Sequence, residues 1–139
     1  MSISVTVPVP SSVYRLAQKT SQAVSHSVEQ ILADVIAAAS PLTEDLPPAL
    51  QAELDDLAPM RDDDLWKIAR SVFPTGQRRK YDRLLEKNSV SKLTPTEREQ
   101  LQDLRLESER LMLRKAHAYA LMKWRGHTLP ALNQISRSR

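Results

Sequence analysis

SISVTVPVPSSVYRLAQKTSQAVSHSVEQILADVIAAA, residues 2–39, changes its hydrophobic period once, and that change decides the architecture. Over residues 2–9 the period is two. Ile3, Val5, Val7 and Val9 fall on one side, and Ser4, Thr6 and Pro8 on the other, which predicts a half-buried strand. Pro8 has no N–H for a ladder, so the strand belongs at an edge or near the end of its pairing. Pro10-Ser11-Ser12 then predicts a helix start with a serine cap, and Val13, Leu16, Ala17 and Val24 mark an apolar stripe. Ser25-His26-Ser27 offers a second cap. It is followed by Val28, Ile31, Leu32, Val35, Ile36 and Ala39, spaced as one face of a helix.

One strand and two helices in some 38 residues bury too little apolar surface to be stable alone. A lone strand also leaves backbone donors and acceptors unpaired. The expected solution is a twofold dimer with Ile3, Val5, Val7, Val13, Leu16, Ile31, Leu32 and Val35 in the shared core.

The alternating strand, the Val-Pro step into the first helix, the Val13/Leu16 face and the Ser-x-Ser before the second helix resemble the ribbon-helix-helix family of repressors and antitoxins. The resemblance covers about residues 2–39. It implies a ribbon that reads DNA in the major groove through its outward residues, here Ser4, Thr6 and Pro8. It also implies phosphate contact at the start of the second helix, here Ser25, His26 and Ser27. Base edges are usually read by longer hydrogen-bonding side chains. Residues 1–40 carry no net charge, with Arg15 and Lys19 against Glu29 and Asp34. A second expectation therefore stands beside the first: an interaction or scaffold protein that keeps the dimer and does not read DNA.

The rest of the chain predicts helices. Residues 41–48 (PLTEDLPP) read as a linker and residues 48–57 as a short acidic helix ended by Pro59. Asp62 is placed to cap a helix running to Phe73, with Leu65, Trp66, Ile68, Ala69 and Val72 inward. Pro74-Thr75 opens a third helix, which carries Arg78, Arg79, Lys80 and Arg83 around Tyr81, Leu84 and Leu85. Thr94-Pro95-Thr96-Glu97 combines a capping box with proline at the first helical position, and opens a helix of about 30 residues that Gly126 ends. The expected architecture is thus mainly α. A ribbon-helix-helix dimerisation module spans 1–40 and a linker 41–48. A helical partner-binding region with one long helix spans 49–132, and a flexible tail 133–139.

Composition narrows the function classes. Only 4% of residues are aromatic, so the core rests on aliphatic side chains. Two glycines exclude phosphate-binding loops of the P-loop or dinucleotide type, and zero cysteines exclude disulfides and thiolate metal sites. The histidines at 26, 117 and 127 have no metal-ligand spacing, and no serine sits in a nucleophile-elbow context. No cofactor, metal or enzymatic activity is expected. The lack of a signal-like or membrane-spanning run points to a cytoplasmic protein. Charge is divided unevenly: residues 1–60 hold two basic against seven acidic side chains, net −5, and residues 61–139 hold 18 against 10, net +8. The Arg78/Arg79/Lys80/Arg83 cluster reads as a nucleic-acid or acidic-partner contact, or as a solvated face with local pairs such as Arg78 with Asp82. The mixed charges of the long helix favour intrahelical pairs. Asp62-Asp63-Asp64 reads as helix-start chemistry, and Trp124 as a candidate interface residue. The leading expectation is a dimeric DNA-binding regulator of antitoxin type whose C-terminal helices bind a protein partner.

Overall fold

The computed structural model describes residues 2–129 and contains six helices in that span. They are α1 (Ser11–Val24), α2 (Val28–Ala39), α3 (Pro48–Asp55), α4 (Asp62–Ala69), α5 (Thr75–Ser89) and α6 (Pro95–Trp124). The chain divides into two units, the first ending at Ser40 and the second beginning at Pro41. The expected tail at 133–139 lies outside the described residues. No described helix is long and apolar enough to cross a membrane.

The predicted strand is absent: among the described residues there is no strand at all, and residues 2–9 form no backbone ladder. The fold is all-helical where a ribbon-helix-helix module was expected. The physical reason is that period-two patterning marks which side chains would share a face, whereas a strand exists only through hydrogen bonds to a neighbouring strand. The single chain supplies no such neighbour, and Pro8 and Pro10 remove two of the donors. Ser4, Thr6 and Pro8 therefore sit on no ribbon. Ile3, Val5 and Val7, expected in a core, are exposed, Ile3 at 87%.

In the first unit α1 and α2 pack as a pair, yet among its described residues Ala17 is the only fully buried hydrophobic one. The turn between them is built by Ser25, which ends α1 in the left-handed conformation (φ 57°) and donates its N–H to the Ser21 carbonyl at 3.1 Å. The Ser21 hydroxyl donates to the His26 carbonyl, and the Ser27 hydroxyl accepts from the Gln30 N–H at 3.1 Å to cap α2. At the start of α1 the expected serine cap is not made. Pro10 is the N-cap residue, and no side chain bonds the free N–H groups.

The second unit is organised by α6. Near its C-terminal end Ala118, Leu121 and Met122 pack with Leu57, Leu65 and Ala69; near its N-terminal end Leu101 and Leu104 pack with Leu84. Phe73, Tyr81, Leu85 and Leu93 close the second cluster, and Met60, Trp66, Ile68 and Leu129 flank the first. Leu54, Leu57, Leu65 and Leu84 are essentially inaccessible. Burial of such a side chain contributes about 1.5–3 kcal/mol before conformational entropy is charged against it.

Helix ends follow local chemistry. The Thr94 hydroxyl accepts from the Glu97 N–H at 3.1 Å and the Glu97 carboxylate accepts from the Thr94 N–H at 3.3 Å, completing the capping box. At the other end of α6, Gly126 (φ 91°) donates to the Lys123 carbonyl and His127 to the Met122 carbonyl, a Schellman closure. Helix α4 stops at Ala69, short of Phe73. Ser71 turns both its N–H and its hydroxyl onto the Ile68 carbonyl, and Pro74 disfavours helical geometry at Phe73. The N-cap of α4 is Arg61, with Asp62 inside the helix. The Asp62 side chain is engaged elsewhere.

Candidate functional site

The most conspicuous surface is apolar and lies on the first unit. Val13, Leu16 and Val24 of α1 and Val35 and Ile36 of α2 are exposed, Leu16 at 67% and Val35 at 60%, while Ile31 and Leu32 are half-buried. All eight expected core residues are thus accessible at least in part. Helices of 14 and 12 residues are marginal in water on their own and draw most of their stability from packing of an apolar face. In this unit that face is left open.

The expected phosphate contact at the α2 N-terminus is largely occupied by the protein itself. Ser27 spends its hydroxyl acceptor on Gln30, Ser25 is committed to the α1 terminus, and the His26 carbonyl accepts from Ser21. Ser25, His26 and Ser27 are adjacent and exposed. Ser4, Thr6 and Pro8 are also exposed, with no regular element to fix their spacing.

The second unit presents the basic cluster. Arg78, Arg79 and Arg83 are exposed and Lys80 half-buried on α5. None of the four makes an ion pair among the described residues, so the expected Arg78–Asp82 pair is not formed. The intrahelical pairs expected on α6 are likewise replaced by longer-range ones. Arg110 and Arg114 reach Glu53 of α3 at 2.7 and 3.5 Å, and Glu97 holds Lys87 of α5 at 2.7 Å. The Lys87 ammonium, with the Thr94 N–H, keeps the Glu97 carboxyl below the usual carboxylate range.

A third constellation escaped the sequence reading. Arg125, at the end of α6, donates to Asp62 Oδ1 at 2.7 Å and to the Ala58 and Met60 carbonyls at 2.8 and 2.6 Å. His127 Nε2 stands 2.8 Å from Asp62 Oδ2. The Arg125 hydrogen bond is the main reason that the Asp62 carboxyl lies below its ordinary range, helped by His127 and opposed by partial desolvation. This Arg–Asp–His group fastens the end of α6 to the turn before α4. It borders an open depression of about 320 Å³ lined by Asp62, Asp63, Trp66, Met122, His127, Thr128 and Leu129. No nearby sequence pattern announces it, because its partners lie 63 to 67 residues apart in the chain.

Among the described residues no group of His, Asp or Glu is placed to hold a metal ion. Trp66 packs beside the core and carries the Arg70 guanidinium 4.4 Å above its ring, whereas Trp124 is half-exposed at the α6 terminus. His117, half-buried on α6, has its imidazole held below the ordinary value by desolvation, partly offset by the Asp55 carboxylate. No protein-family model, characterised protein or solved structure matches this sequence.

Proposed function

We propose that the protein is a dimeric interaction protein in which the first unit joins two copies of the chain and the second unit is a self-supporting helical body. One observation carries this reading. Residues 2–40 expose Ile3, Val5, Val7, Leu16, Val35 and Ile36 together, with Ala17 alone fully buried. A surface of that kind marks an interaction site. A second copy is its natural occupant because the unit has no net charge. Arg15 and Lys19 balance Glu29 and Asp34, so two copies meet without electrostatic penalty. The test is light scattering on the full-length protein after size-exclusion chromatography. A mass near twice 15.7 kDa is expected, and a monomer at all attainable concentrations overturns the reading.

A second reading, a dimeric DNA-binding regulator of antitoxin type whose C-terminal helices bind a partner protein, is supported by the four α5 cations, which have no carboxylate partner among the described residues. It places nucleic-acid contact in the basic half of the chain. A duplex-DNA binding assay on the full-length protein separates the two readings, because the interaction protein requires no affinity for DNA.

A further inference from the structure

We propose that the outward face of α5 is a docking surface for duplex DNA, gripped through the phosphate backbone by Arg78, Arg79, Lys80 and Arg83. This deepens the nucleic-acid reading and moves its contact from residues 4–27 to the second unit. Four cations fall within six residues, and none is within ion-pair distance of a carboxylate among the described residues. Lys87, Arg110, Arg114 and Arg125 of the same unit are paired, whereas Lys92, Arg98, Arg105 and Lys115 are, like the cluster, without an ion pair among the described residues, so it is density that sets the α5 cations apart. Asp82 and Glu86 share α5 with the cluster at spacings that permit pairing, yet neither carboxylate is paired among the described residues.

The support beneath these charges is rigid. Leu84 is fully buried against Leu101 and Leu104, Tyr81 and Leu85 pack beside it, and the Lys87–Glu97 bridge fastens the last turn. With Tyr81, Leu84 and Leu85 facing inward, Arg79 and Arg83 lie about one turn apart on the opposite side, while Arg78 and the half-buried Lys80 sit at the two margins of the packed face. The four-residue step between them advances about 6 Å along the helix axis. A duplex strand carries a charge about every 3.4 Å, so the two guanidiniums address separate phosphates.

Two further features favour an anion. Arg78, Arg79 and Lys80 lie in the N-terminal half of α5 and Arg83 just past its middle; the first turn holds no acidic residue and the Pro74 cap supplies no side-chain acceptor. No carboxylate at the helix start therefore competes with a phosphate for these side chains. Approach is open, because nothing lies within 4 Å of where a side chain at Gly76 would begin. Duplex fits better than single strand. The aromatic residue of α5, Tyr81, is turned to the core, whereas single-strand binding uses exposed rings as stacking platforms.

The experiment is fluorescence anisotropy with full-length protein and a labelled duplex of about 30 base pairs of arbitrary sequence, titrated with KCl. Binding that weakens linearly on a log–log salt plot is expected. The variant Arg78→Gln/Arg79→Gln/Lys80→Gln/Arg83→Gln should bind at least about tenfold more weakly, its salt slope reduced by about 3 to 4. A control of equal net charge, Lys92→Gln/Arg98→Gln/Arg105→Gln/Lys115→Gln, should keep most of the affinity. Arg79→Gln/Arg83→Gln, with half the substitutions, gives about half the slope change if the fourfold variant loses helix by circular dichroism. Wild-type binding that survives the α5 substitutions overturns the placement but leaves the nucleic-acid reading standing. No wild-type binding removes both. An equal loss in the control, tighter binding to single-stranded DNA, or displacement by polyglutamate at matched charge also overturns the proposal.

Discussion

Leu16→Asp separates a self-associating first unit from one that merely tolerates an exposed leucine. In the single chain Leu16 is 67% exposed on α1, and a surface substitution there changes stability by within about 0.5 kcal/mol. In a dimer the arithmetic differs. Complete burial of leucine is worth about 1.5–3 kcal/mol, so the exposed two-thirds offers about 1–2 kcal/mol per copy. A carboxylate in its place forfeits that and adds a desolvation cost of several kcal/mol, and twofold symmetry counts both effects twice. The total exceeds about 6 kcal/mol, a loss of at least about 10⁴-fold in association constant. The assay is sedimentation velocity of the full-length protein from about 1 to about 100 µM, with helicity followed by circular dichroism. Wild type should sediment as a dimer and Leu16→Asp as a monomer with diminished signal from α1 and α2. Gln18→Asp, with one equal negative charge on the same helix, should leave the dimer intact. A Leu16→Asp protein that dimerises as tightly as wild type refutes the reasoning.

In the second unit, Leu65→Ala removes a fully buried side chain between α4 and α6. It should cost about 2–5 kcal/mol in urea unfolding, and a loss below about 1 kcal/mol would contradict that packing. Gly126→Ala should destabilise by about 1 kcal/mol, since φ is 91° there, while Ser91→Gly (φ 56°) should stabilise by about 0.5–1 kcal/mol; thermal melts decide both. His117 titrates lower in the folded chain than when unfolded, so the unfolded state binds more protons across that interval. Its contribution is therefore undiminished above the ordinary imidazole range and falls as pH drops through that range toward the folded value. His117→Gln should flatten this part of the stability–pH curve, and an unchanged slope would place its origin elsewhere.

Which parts of this structure are legible in the sequence follows from the range of the interactions. The Thr94–Glu97 box, the Gly126 terminus and the Ser27 cap depend on neighbours within three or four residues, and each is written locally. Helix spacing also marks Leu65, Ala69, Leu84, Leu101 and Leu104 as inward. Period two at residues 2–9 groups Ile3, Val5 and Val7 on paper, but grouping is not pairing, and the strand inferred from it has no ladder and buries none of the three. Asp62 illustrates the opposite failure. As an aspartate at a helix start it reads as a cap, while its carboxylate is claimed by Arg125 and His127 from the far end of α6. Arg110 and Arg114 pass over nearer carboxylates for Glu53, because tertiary packing, and not i,i+4 spacing, brings that group within reach.

Helix α6 puts its buried residues near its two ends, and residues 105–117 contribute none. Thirty residues make a rod about 45 Å long, so α4 and α5 dock at separate stations along it. The interval between the stations is fixed twice, by α6 itself and by residues 70–74, which join α4 to α5. Insertion of two turns, about seven residues and 10 Å, nearly preserves the angular phase of both stations. The same distance, about 10 Å, would have to be spanned by residues 70–74 as well, because Ile68 packs at one station and Phe73 at the other. The reach of this unit is therefore set by α6 and the α4–α5 connection together, and a change in the length of either one alone strains one of the two clusters.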